Sequence, residues 1–96
     1  MDKLKRQFIE VFDLSPEIAM DLPLIMMLGK EKIYLENHKG VSHFSDEELK
    51  IKIKSGFLVI NGKKLIINEI NSDYLSISGN IMSVSYEMYS GGVING

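Results

Sequence analysis

Leu49-Lys50-Ile51-Lys52-Ile53-Lys54 alternates apolar and charged side chains without a break. A helix would wrap both kinds around its axis. An extended strand puts leucine and isoleucine on one side and every lysine on the other. A slip of one residue would exchange core for solvent along the whole segment. From Pro23 onward the same period of two returns between turn signals spaced roughly eight to twelve residues apart, the rhythm of an all-β domain.

Counting from the turns predicts the pairing. Asn61-Gly62, read as a two-residue loop, sets Ile60 opposite Lys63 and Leu58 opposite Leu65. Ser55-Gly56 as a loop sets Lys54 opposite Phe57, Ile53 opposite Leu58 and Ile51 opposite Ile60. Gly79-Asn80 sets Ile77 opposite Met82 and Leu75 opposite Val84. A three-residue loop at Asn71-Ser72-Asp73 sets Ile67 opposite Ile77. Opposed residues share a face. The turns therefore agree on one apolar face: Leu49, Ile51, Ile53, Leu58, Ile60, Leu65, Ile67, Leu75, Ile77, Met82, Val84 and Tyr86. Upstream, Gly29-Lys30 as a loop pairs Met26 with Ile33 and Leu24 with Leu35. Asn37-His38-Lys39-Gly40 is a further turn before Val41 and Phe44. Ser45-Asp46-Glu47-Glu48 resembles a capping box, but the alternation after it predicts one turn and then a strand.

The expected fold is an all-β core of about eight short antiparallel strands, a meander closed into a sandwich-like roll. A short β-solenoid is the alternative, because the apolar pairs at 58/60, 65/67 and 75/77 also suit stacked rungs. An amphipathic helix precedes the core. Leu4, Phe8, Val11 and Phe12 fall at helical spacing within residues 2–13. Ser15-Pro16-Glu17 starts a second short helix, with serine as cap and proline in the first helical position. Asp21-Leu22-Pro23 closes it. The division is a helical segment at 1–22, a β domain at 23–87 and a flexible tail at 88–96.

The other face of the sheet is mixed. Phe57, Val59, Ile66 and Tyr74 alternate with the core set, among Lys50, Lys52, Lys54 and Lys64. Left in water they form an apolar patch, the usual mark of an interaction site. The cover expected is either Phe8 and Phe12 of the N-terminal helix or a second protein.

Little else offers chemistry. The 96 residues include no cysteine, which excludes disulfides, thiolate metal sites and a cysteine nucleophile. His38 and His43 lie across a turn near Glu36 and Asp46, short of the three or four convergent ligands a metal needs. A histidine–carboxylate site at His38 and Asp46 is the enzymatic reading. Asp46, Glu47 and Glu48 have no spacing that aims them at one atom. Ser76, Ser78, Ser83 and Ser85 lack a base or a nucleophile elbow. No phosphate loop or dinucleotide fingerprint occurs, and no cofactor is expected. The lysines with Phe57 and Tyr74 could form a single-strand-binding sheet. Against this stand a single arginine, Arg6, no tryptophan and a formal net charge of −2. Lysine on an exposed strand is also a guard against edge pairing.

The basic start at Lys3-Leu4-Lys5-Arg6 is not followed by a signal-peptide apolar region, because Glu10 and Asp13 interrupt it. The apolar run Leu22–Leu28 is far short of the ~20 residues a membrane span needs. The expected compartment is the cytoplasm. Composition and spacing alone stop at a soluble, mostly β domain.

Residues 21 to about 86 carry an ordered set of short motifs. They are Met20-Asp21-Leu22-Pro23, Met27-Leu28-Gly29 and Ile33-Tyr34-Leu35-Glu36-Asn37-His38-Lys39-Gly40. Phe44-Ser45-Asp46, Ile51, Gly56-Phe57-Leu58-Val59-Ile60-Asn61-Gly62, Leu65, Ile67 and Leu75-Ser76-Ile77-Ser78-Gly79 follow. Together they resemble the YabP/YqfC family of sporulation proteins, the YqfC branch more than the YabP one. The resemblance implies a small non-enzymatic protein of the mother cell of an endospore-forming bacterium. It implies a scaffold or interaction role in engulfment or in spore envelope and coat development. It also implies a membrane-protein partner, YqfD, which would place the chain peripherally at the forespore membrane. A homo-oligomer is a further expectation, and a nucleic-acid-binding β module is the alternative function. The candidate contact residues are Glu36, Asn37, His38, Lys52, Phe57, Val59, Lys64 and Ile66.

Overall fold

A computed structural model describes residues 3–88. Helices α1 (Lys3–Val11) and α2 (Pro16–Ala19) precede six strands: β1 (Leu24–Leu28), β2 (Lys32–Glu36), β3 (Val41–Phe44), β4 (Glu48–Ile53), β5 (Gly56–Ile70) and β6 (Tyr74–Met88). All pairings are antiparallel. The order β1-β2-β6-β5-β4-β3 departs from a meander at one step, where β2 joins β6. The all-β reading with an N-terminal helix holds, with six strands in place of about eight. Antiparallel pairing excludes the solenoid, whose rungs stack in parallel. Of the expected tail, Met88 pairs with Gly56, and residues 89–96 lie outside the described residues.

The strand count falls because two expected hairpins do not form. Asn61-Gly62 and Gly79-Asn80 run straight through β5 and β6, two strands of 15 residues each. Gly62 is not among the glycines with positive φ, whereas Gly79 is, at 147°. These glycines serve a close approach of chains. A Cβ on Gly62 would run into the carbonyl oxygen of Asn80, and one on Gly79 would lie 2.8 Å from the carbonyl oxygen of Lys64. The loop at Asn71-Ser72-Asp73 does turn the chain, and Ile67 faces Ile77 as the count predicts.

The β4–β5 loop is Lys54-Ser55, so Ile53 meets Gly56 and Ile51 meets Leu58. That register is offset by two from the expected one. Two is the period of a strand, so every side chain keeps its face. The β1–β2 loop has three residues, Gly29-Lys30-Glu31, and Ile25 rather than Leu24 faces Leu35. This offset is one, so Ile25 replaces Leu24 and Met26 against the core.

Ile33, Leu35, Leu49, Ile51, Leu58, Ile60, Leu75 and Ile77 are each less than 2% exposed. An open sheet leaves such side chains half wet, so burial this complete requires the sheet to curl over its apolar face. The long ribbon supplies the bends. Its register shifts at Asn61/Gly62, Lys63/Ile66 and Ile67/Glu69, and Lys64 has φ +56°. Such bulges bend and twist a strand. Amides at the bends bond to the turns of the flanking hairpins. Gly62 and Leu65 donate to Glu47 O and Asp46 O, at 3.0 and 2.9 Å. Gly79 and Ile81 donate to Glu31 O and Lys30 O, at 3.1 and 2.8 Å. The bulges also change which residues of β6 point inward. Ile81 is buried, whereas Met82 and Tyr86, expected inside, are 66% and 59% exposed.

Candidate interaction site

Ile33 and Leu35 point into the core, so Tyr34 and Glu36 point out; Leu75 and Ile77 do the same for Tyr74 and Ser76. The β2–β6 register sets Glu36 opposite Tyr74. The rings of Tyr34 and Tyr74 lie 5.3 Å apart, and Tyr34 Oη donates to Glu36 Oε2 at 3.0 Å. With Lys5, Met20, Asn37, Ser72 and Asp73 these residues line a cavity of about 550 Å³. The pKa of Tyr74 is raised, first by hydrogen bonding to Glu69. Burial and the nearby negative charge of Glu69 raise it further.

Two carboxylates and two phenol rings form a wall suited to a cation. The cation lining it is Lys5, whose Nζ donates to Leu22 O at 2.6 Å and to Met20 O at 3.4 Å. Asn37 Nδ2 donates to the same two carbonyls, at 3.1 and 2.8 Å. Thus α1, the link into β1 and the Asn37–Gly40 turn are clipped together at this end of the sheet. His38 belongs to the clip. Its Nδ1 accepts the Gly40 amide at 2.9 Å, so the neutral ring carries its proton on Nε2, which donates to Asn71 O at 2.8 Å.

The remaining candidates fall elsewhere. Lys52 lies opposite Phe57 and Lys50 opposite Val59 on the outer face of β4–β5. Lys50 sits 4.5 Å above the Phe57 ring and pairs with Glu87 at 2.7 Å. Phe57 and Val59 are half-buried. Lys64 and Ile66 lie at the bend, Ile66 opposite Ser78 and Lys64 in a shallow groove with Lys30 and Lys32. Lys54 turns away to Asp21, at 3.1 Å. The lysines therefore do not run as one strip.

His43 lies 3.6 Å from Glu48, whereas His38 bonds to Gly40 and Asn71. Among the described residues no group of three or more His, Cys, Asp or Glu could hold a metal ion. Phe8 and Phe12 stack on each other, 6.1 Å between centroids, and are 39% and 62% exposed.

Glu36, Asn37 and His38 thus gather at one end of the molecule. Lys5 and Asp73 join them there without any signal in the sequence, because no turn announces that β2 lies beside β6. The alternation through Ile33-Tyr34-Leu35-Glu36 is the signal that could have put Tyr34 and Glu36 on one face.

Residues 22–92 match the family model described as the YabP family. The chain is also similar to the uncharacterized protein YqfC of Bacillus subtilis (strain 168). The two are 34% identical over 85 residues, which cover 88% of this chain and 91% of that protein.

Proposed function

The chain belongs to the YabP family, a sporulation-associated family, and on that premise we propose that it is a non-enzymatic interaction module in endospore formation. Its place is the mother-cell side, in engulfment or in development of the spore envelope and coat. The observation that supports this reading is the apolar surface on and around α1. Beside the Phe8–Phe12 stack, Val11 is 74% exposed, Leu14 43%, Met20 56% and Leu22 43%. Phe8, Val11 and Phe12, residues a helix normally hides on its own domain, are here offered outward, the arrangement of a helix that docks in a partner's groove. The partner class is a membrane protein such as YqfD. No helix of the described residues is long and apolar enough to cross a membrane, so a partner of that kind would supply the membrane attachment.

The test is the pair Phe8→Glu and Phe12→Glu at the native locus. Both rings are exposed, so the unfolding midpoint of the purified protein should stay near its original value. Recovery of the partner by pull-down from sporulating cells should be lost, and spore yield should fall. Unchanged recovery with normal spore yield would overturn the reading.

A further inference from the structure

The sheet has two edges, and they differ. Strand β3 is short, carries Ser42 and His43, and is broken by a register shift between Val41 and His43. Those are devices that blunt an edge against further pairing. Strand β1 is Leu24-Ile25-Met26-Met27-Leu28, with no charge, proline or bulge. Among the described residues no strand pairs with its outer side. Its end is also wet, Met27 being 49% and Leu28 70% exposed. An unguarded apolar edge is a template for an added strand.

We infer that the added strand is β1 of a second copy, paired antiparallel about Met26 so that the sheet continues from one copy into the other. Charge selects this occupant and this direction. At one end of β1 the register runs Leu28, Lys32, Ser78, with Lys30, Lys64 and Glu31 beside it, three lysines against one carboxylate. At the other it runs Leu24, Glu36, Tyr74. Glu36 and Asp73 share their cavity with Lys5, and Asp21, just before the strand, pairs with Lys54. Three carboxylates thus stand against two lysines, and this end is acidic on balance. An antiparallel pair sets the basic end of each copy beside the acidic end of the other. A parallel pair would set like beside like. The pairing is isologous, so one contact is made twice. The exposed Leu28 of each copy meets Leu24 of the other, and Met27 meets Ile25, whose side chain packs on the core. Met26 meets itself across the twofold axis. The inference stands independently of the sporulation reading.

Sedimentation equilibrium of the full chain should show a monomer–dimer equilibrium. Met26→Lys and Met26→Glu should each lose the dimer, because like charges then face each other across the axis. Mixing the two variants should restore it. Circular dichroism checks that both variants keep the sheet. A second measurement does not depend on charge. The chain has no cysteine, so Met26→Cys oxidised with glutathione disulfide should cross-link between chains roughly ten-fold or more faster than Met82→Cys, through proximity. A wild-type monomer at every concentration overturns the proposal. So does a dimer indifferent to both charged variants, or equal cross-linking at the two positions.

Discussion

Gly62 is a small residue for a steric reason. Its φ is not positive, but a Cβ would meet the Asn80 backbone, which the paired strand holds in place. Gly62→Ala should therefore lose about 1–3 kcal/mol in urea unfolding, the range for overpacking. Gly29 makes the contrast, with φ +53° and open space around the missing Cβ. Gly29→Asn should change stability little, because asparagine tolerates that backbone. Tyr74 gives a titration with a definite sign. Its folded pKa is raised, first by the hydrogen bond to Glu69. The bond's contribution is complete below the pKa of the unfolded tyrosine and is lost as pH rises through the folded value. Glu69→Gln should move the tyrosinate absorbance step assigned by Tyr74→Phe back toward the ordinary value. An unmoved step would remove Glu69 as the cause. Glu17 runs the opposite way: the Ser15 hydroxyl holds its carboxyl below the usual value. That contribution is present above the unfolded carboxylate pKa and lost as pH falls through the folded one.

Among the elements, the inward faces of β4 and the early part of β5 are legible because facing depends only on parity. The offset of two at Lys54-Ser55 leaves Ile51, Ile53, Leu58 and Ile60 inside. The offset of one at the β1 turn does not, and it exchanges Leu24 and Met26 for Ile25. The glycine dipeptides misled for a physical reason. Asn-Gly and Gly-Asn mark hairpins because glycine relaxes the backbone, but the same missing Cβ also lets two strands cross closely at a bend. Local sequence does not separate the two uses. The β2–β6 pairing, which brings Tyr34, Glu36 and Tyr74 together, is non-local and leaves no mark in any short window. Leu65 tests the bend directly. It is 2% exposed, and its amide bonds to Asp46 O. Leu65→Ala should cost roughly 2–5 kcal/mol in urea unfolding, the range for a truncated core leucine. A cost below about 1 kcal/mol would mean that the bend does not depend on this side chain.

The whole molecule divides into a sheet held by its buried face and a helix tied to its end through Lys5. Strands β2, β4, β5 and β6 share one continuous apolar cluster, so their opening exposes the core and should require global unfolding. Helix α1 offers Phe8, Val11 and Phe12 to solvent, and Lys5 fastens it through the carbonyls of Leu22 and Met20. Such an element opens locally, at a free energy set by its own few contacts. Hydrogen exchange should therefore show two levels. Amides of Leu58, Ile60, Leu75 and Ile77 should exchange only with global unfolding, and those of Phe8 to Val11 much sooner. Lys5→Met keeps the length of the side chain and removes its donors. It should cost α1 roughly 1–3 kcal/mol of protection, the worth of a hydrogen bond from a charged group, while protection in β5 and β6 stays unchanged. Equal loss in helix and sheet would show that α1 belongs to the cooperative core, and a helix locked into that core is not free to reorient toward a partner. Loss confined to α1 would leave the sheet as a rigid platform and the helix as the part that moves when a partner docks.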